Sequence, residues 1–274
     1  MLHKFFKHVA PVAAIALSAA LAGCGDVDID INGESGVPLA ELDMSGDAPT
    51  ELVLAGPDKI IVTDGDKLDI DVSGDAKAVD LVRFTLKGGT LGVLRESGKW
   101  KDTGYAVIRV TMPSPKSITI AGSGSVEAAS MAEDADINIV GSGSLKVSSL
   151  KAGQADVTVA GSGSVSAAGS IDRLDLNVVG SGSADLAEVQ VESADITVAG
   201  AGDAAFASDG KIDATILGSG TVRVIGRATC QVNSMGSGKV ICENKVEATD
   251  QAKTDAEKSK KQAAKKSEKK SRKA

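Results

Sequence analysis

The stretch Asp136-Ile137-Asn138-Ile139-Val140-Gly141-Ser142-Gly143-Ser144-Leu145-Lys146-Val147 holds the pattern from which the rest of the chain is read. Apolar and polar side chains alternate on both sides of a Gly-Ser-Gly triplet, the period of a strand on either side of a sharp turn. The triplet recurs with first glycines at Gly122, Gly141, Gly161, Gly180, Gly200, Gly218 and Gly236, the fifth copy being Gly200-Ala201-Gly202. The spacings are 19, 20, 19, 20, 18 and 18 residues. Two residues before each first glycine stand Ile120, Ile139, Val159, Val178, Val198, Ile216 and Ser234. Four after it stand Val126, Leu145, Val165, Ala184, Ala204, Val222 and Val240. A period of this length is too short for helical-hairpin repeats. Alternation and constant period together predict an all-β fold, a parallel β-helix (β-solenoid) of ~19-residue coils turned at Gly-Ser-Gly. Coils stacked ~4.8 Å apart would make a rod of roughly 30 Å. Glycine suits the corner because it takes φ > 0 and lets neighbouring coils approach closely. A β-sandwich of hairpins turned at the triplet explains the alternation but not the constant repeat.

Composition narrows the chemistry. The 274 residues include six aromatics, 31 glycines and two histidines, His3 and His8. No residue beyond position 8 can supply a histidine base, a triad imidazole or a histidine ligand for zinc. Aromatic platforms for sugars or bases have almost no material. Small inward side chains fit a narrow coil, which houses few rings.

The N-terminus is read as an address. Lys4 and Lys7 precede an apolar run from Val9 to Ala20, too short for a comfortable permanent span, which takes ~20 residues. The run ends in Leu21-Ala22-Gly23-Cys24. That tetrapeptide resembles the lipobox of bacterial lipoproteins, which implies a signal peptide over 1–23 and a membrane anchor on the acylated thiol of Cys24. Gly25 in place of Asp after the cysteine implies export to the outer membrane. Two or more acyl chains suffice for stable anchoring.

Residues 24–36 read as a tether, and 37–115 as irregular early coils that share the core of the repeats at 116–243. Here Lys67-Leu68-Asp69-Ile70-Asp71-Val72 alternates cleanly, and Ser73-Gly74-Asp75 and Lys87-Gly88-Gly89 mark turns. Residues 244–274 read as a disordered or transiently helical Lys-rich tail. Ten basic and three acidic residues fall within 251–274, whereas 24–250 has 18 basic and 34 acidic ones. An acidic body thus ends in a basic tail.

The order of lipobox, Asp69-Ile70-Asp71-Val72-Ser73-Gly74-Asp75, Met112-Pro113 and then Ile118-Thr119-Ile120-Ala121-Gly122-Ser123-Gly124-Ser125 with its repeats resembles the bacterial envelope family called "putative auto-transporter adhesin, head GIN domain". The likeness covers about 37–243. It implies a right-handed β-helix-like fold in an exported protein, and it carries no defined catalytic residues.

Several features could carry chemistry. Asp136, Asp156, Asp175, Asp195 and Asp213 stand five residues before consecutive triplets, on the outward parity. They are weak candidates for a divalent-cation strip, since carboxylates suit Ca²⁺. The simpler reading is a solvated face, and no metal or cofactor is expected. The triplet serines recur without a neighbouring base, which favours architecture over nucleophilic chemistry. Cys230 and Cys242 lie six residues either side of Gly236, on the inward parity. They are expected to form a disulfide that clasps the last coil, with two buried thiols as the alternative. The outward residue before each triplet is apolar in every copy, from Ala121 to Met235, and either packs on the corner or faces a partner. The Lys-rich tail is a candidate contact for anionic envelope polymers or lipids, or a spacer, and without interleaved aromatics it gives no support to nucleic-acid binding.

These readings lead to a lipid-anchored, non-catalytic adhesion or scaffold module of the cell envelope. The alternative is a polysaccharide lyase or hydrolase on a β-helix, for which no base is paired with the Asp strip at a fixed register.

Overall fold

The computed structural model describes residues 15–17, 29–96 and 103–243. Cys24, Trp100, the tail 244–274 and most of the expected signal peptide lie outside the described residues. β1 (Ile15–Leu17) and β2 (Ile29–Ile31) form a short antiparallel pair.

The triplet region winds as a parallel β-solenoid. β9 (Ser117–Gly122) and β10 (Ser125–Ser130) flank the first triplet, and β11 (Asp134–Gly141) leads into the second. The long strands β12 (Ser144–Gly161), β13 (Ser164–Gly180), β14 (Ser183–Gly200) and β15 (Asp203–Gly218) each carry the chain from one corner to the next. β16 (Thr221–Ile225), β17 (Thr229–Gly236) and β18 (Lys239–Glu243) complete the described coils. Pairing is parallel and corner meets corner: Gly122 pairs with Gly141, Gly141 with Gly161, and Gly161 with Gly180. The sequence period is therefore the register in space. The register shifts between Val147 and Leu150, and between Ser166 and Ala168, fall on the edge opposite the corner. Coils of unequal length are accommodated there, away from the triplets.

Two glycines of each triplet are needed for different reasons. The first is left-handed, with φ 114° at Gly141 and 119° at Gly161, and a Cβ on Gly141 would lie 2.6 Å from the Gly122 carbonyl oxygen. The third has no such dihedral. A Cβ on Gly143 would instead sit 2.5 Å from Ile120 Cγ2 and 2.9 Å from the Gly124 oxygen. Between them the backbone continues the ladder: Ser142 N–H donates to Gly122 O at 2.8 Å, and Ser144 N–H to Gly124 O at 3.0 Å. The serine side chains at the corner are exposed.

The early residues join the same core in a permuted order. β3 (Glu51–Gly56) pairs in parallel with β9, placing Leu52 beside Ile118. β4 (Lys59–Asp64) pairs likewise with β10. On its far side β3 pairs with β7 (Thr90–Arg95), and β4 with β8 (Ala106–Met112). The first coil of the chain is thus held between the later β7–β8 coil and the first triplet coil. Beyond it β5 (Asp69–Gly74) runs antiparallel to β8, and β6 (Val82–Lys87) antiparallel to β7. The short helix α1 (Ala76–Val79) packs against β5 and β8 with Ala78 buried, closing that end of the core. Buried residues of both regions, from Leu52 to Val224, form one contiguous cluster. At the other end the inward positions open: Val232 of β17 is 52% exposed, where the matching Ala214 is 3% exposed.

Candidate functional site

The side that precedes the corner presents three parallel columns, each set by strict register. The first holds Asp136, Asp156, Asp175, Asp195 and Asp213, one above the other on successive strands. Carboxylates ~4.8 Å apart repel. Amides of the same strands offset part of this: Asn138 Nδ2 donates to Asp136 at 2.7 Å, Gln154 Nε2 to Asp156 at 3.0 Å, and Asn177 Nδ2 to Asp175 at 2.9 Å. Lys211 Nζ stands 3.3 Å from Asp213. Two carboxyls of the column are raised above their ordinary value, first by burial and then by neighbouring acids. Burial, then the charges of Asp156 and Glu51, raise the Asp136 carboxyl against the lowering hydrogen bond from Asn138. Burial raises Asp175 as well, aided by Asp195 and Asp156 and opposed by Asn177 and Arg173. Among the described residues no group of three or more His, Cys, Asp or Glu is placed to hold a metal ion. The donors described along the strip are the three amides and Lys211, with the charge of Arg173 near Asp175.

The second column is made of Thr and Asn, from Thr119 to Asn233, and the third is the apolar residue before each corner. Ala121 pairs with Val140, Val140 with Ala160, Ala160 with Val179, and Val179 with Ala199. These side chains point outward: Val140 is 53% exposed, Val179 50%, Leu217 43% and Met235 68%. The same column runs on through Ala55 and Leu94, but there it is covered. Ile31, fully buried, packs on Val53, Ala55 and Leu94, with Ala121 at the border of that cluster.

Cys230 and Cys242 are joined by a disulfide with their Cα atoms 6.9 Å apart, across the last described coil. Cys230 is partly buried and Cys242 exposed, because that coil forms the open end rather than an interior layer.

The β7–β8 coil holds a feature that the repeat pattern gave no reason to expect. Gly56-Pro57-Asp58 occupies the triplet position between β3 and β4, and Gly56 pairs with Gly122. In the next coil residues 96–105 replace the tight corner, and 97–102 of them lie outside the described residues. Arg95 secures the base of this segment: Nε and Nη2 hold both oxygens of Asp58, while Nη1 donates to Thr103 Oγ1 at 2.7 Å and Nη2 to Gly104 O at 3.0 Å. The backbone N–H of Ala106 completes the site on Asp58 at 2.7 Å. One arginine and one aspartate, 37 residues apart, carry no sequence signal of partnership.

A depression of about 430 Å³ lies beside β6, lined by Val37, Leu42, Phe84 and Leu86 together with Glu34 and Asp43. Hydrogen bonds from the side chain and backbone of Ser45 hold the Asp43 carboxyl below the usual range.

No curated protein matches the chain in sequence. Solved structures do match its fold. One described as a "putative adhesin" from Bacteroides fragilis superposes with a TM-score of 0.65 at 22% identity, covering 71% of this chain and 92% of that one. A "putative lipid binding protein" from Parabacteroides distasonis gives 0.55 at 22% identity over the same shares. A "putative adhesin" from Parabacteroides merdae gives 0.53 at 20% identity, again over 71% and 92%. A family model matches residues 48–228, and the chain therefore belongs to the family described as "Putative auto-transporter adhesin, head GIN domain".

Proposed function

We propose that the protein is a lipid-anchored, non-catalytic module of the bacterial cell envelope that works in adhesion or as a scaffold. The observation that carries this reading is the outer surface of the rod. It repeats the same Asp, Thr/Asn and apolar columns coil after coil, a form suited to extended contact rather than to one reaction centre. Lys211 stands by Asp213 and Arg173 near Asp175, but neither pairing recurs at the other three Asp of the strip, which are held by amides or have none of these partners, and this weighs against the lyase or hydrolase alternative. Family membership and the names of the structural neighbours agree with an envelope role. The lipobox supports anchoring through Cys24 and an outer-membrane location. The Lys-rich tail is proposed to touch anionic envelope polymers or lipids.

Metabolic labelling with an alkyne fatty acid tests the anchor: the wild-type chain is expected to take the label and Cys24→Ala to lose it. An impermeant biotin reagent on intact cells then separates surface display, as an adhesin needs, from a periplasmic scaffold. Turnover of uronate polymers by the purified protein would overturn the non-catalytic reading.

A further inference from the structure

Beyond that reading, we infer that the bond between Cys230 and Cys242 is a site of thiol–disulfide exchange, attacked at Cys242 by a dithiol reductant, and that its opening releases the last described coil from the rod. The two cysteines are not equally placed. Cys230 is partly buried and packs against the core, in register with the fully buried Ile212, whereas Cys242 is exposed. An incoming thiolate needs access to the sulfur it attacks, and exposed disulfides are the labile ones. The exchange balances in two steps. A thiolate of the dithiol bonds to Cys242 Sγ, the bond between the two cysteines breaks, and Cys230 leaves as a thiolate that takes a proton. The second thiolate of the reductant then attacks its partner sulfur in the mixed disulfide, and Cys242 leaves in the same way. The protein disulfide is reduced to two thiols, and the dithiol is oxidised to a disulfide.

What the bond holds follows from the coil around it. β17 pairs with β15 and β18 with β16, each on one side only. Thr229 and all of 231–236 are exposed, so side-chain burial does little to hold β17 in place. The coil is kept instead by its backbone ladder, by the corner, where the N–H groups of Ser237 and Gly238 each donate to Gly218 O at 2.9 Å, and by the disulfide. Entry to the coil is pinned separately. The Arg227 N–H donates to Asp209 Oδ1 at 2.8 Å, and Gly226, with a φ of 136°, lies against the Ser208 carbonyl. Residues 229–243 can therefore leave from a fixed hinge while the coils before them stay wound. β15 and β16, with Ile212, Ile216, Val222 and Val224 buried on their inward side, then become the end layer and present free strand edges.

Reduction of the full chain in native buffer tests the proposal, with dithiothreitol as the dithiol and alkylated peptides read by mass spectrometry so that Cys24 is counted apart. The bond is expected to open at a rate within about tenfold of that in urea, since no global unfolding is needed to reach it. A bond that opens only when the whole rod unfolds would overturn the inference. A brief pulse of reduced glutathione, quenched with acid, is expected to leave the mixed disulfide on Cys242 at least about tenfold more often than on Cys230. Equal yields, or an excess on Cys230, refute the assigned point of attack. Hydrogen exchange in the reduced protein should quicken roughly a hundredfold in β17 and β18, with β12–β14 unchanged, and should slow again on reoxidation with oxidised glutathione. Unchanged exchange after reduction, or loss of protection along the whole rod, refutes the release.

Discussion

Arg95 and Asp58 terminate the stack of corners: Arg95 Nε donates to Asp58 Oδ2 at 2.7 Å, and neither side chain is more than 1% exposed. In the triplet coils glycine lies on glycine, so no charge is buried there. Here a guanidinium takes the place of the next corner and holds the base of the 96–105 segment. Removing one partner leaves the other charged and dry. Asp58→Ala and Arg95→Met are each expected to lower stability by about 3–5 kcal/mol. The double variant should lose much less than the sum, which urea unfolding in a double-mutant cycle measures. Strictly additive losses would mean that the fork contributes no coupling.

The corner makes a prediction about which atoms matter. Gly161→Ala places a Cβ at 2.4 Å from the Gly141 oxygen on a φ of 119°, and Gly163→Ala places one at 2.5 Å from Ile139 Cγ2. Each is expected to cost about 2–4 kcal/mol, the first through strain and overlap, the second through overlap alone. Ser162→Ala, at an exposed side chain between them, should change the thermal midpoint by no more than the effect of an ordinary surface substitution. Equal losses at all three positions would contradict this division of roles.

The disulfide closes a segment of 12 residues at the open end. Cys230→Ser with Cys242→Ser should lose about 3 kcal/mol of loop-closure stabilisation. Because the clasp sits on the last described coil, the loss should fall first on β17 and β18. Hydrogen exchange is expected to quicken there while β12–β14 stay protected. Uniform acceleration along the whole rod would contradict a local clasp.

The Asp column sets a pH dependence. Asp136 and Asp175 are raised above the ordinary carboxylate value, chiefly by burial and then by neighbouring acids. The folded state therefore holds protons that the unfolded chain releases. Their contribution favours the fold below the ordinary carboxylate range and is lost as pH rises through the raised values. Asp136→Asn and Asp175→Asn should each stabilise the protein at neutral pH by about 0.5 kcal/mol or less, given their partial exposure. The gain should vanish toward about pH 4, where the parent carboxyls become protonated. Calorimetry at the two pH values checks this, and a gain that grows on acidification would refute it.

Much of the rod is legible in the order of its residues. The spacing of Gly122, Gly141 and Gly161 carries the coil length, the alternation around them carries the inward and outward faces, and the register of the strands follows from both. This is possible because a solenoid turns sequence distance into a fixed spatial neighbour: a residue and its counterpart about 19 positions later meet by construction. The placement of β3 and β4 between β7–β8 and the first triplet coil is not legible in this way. Their alternation fits any layer of the stack equally well, and only the packing of the whole core selects one. The fork between Arg95 and Asp58 and the cover of Ile31 over Ala55 arise from that same permuted stacking. Periodicity is a local property written along the chain, whereas the order of layers and the contacts at their ends depend on which surfaces close together, and that is settled only when the chain is folded.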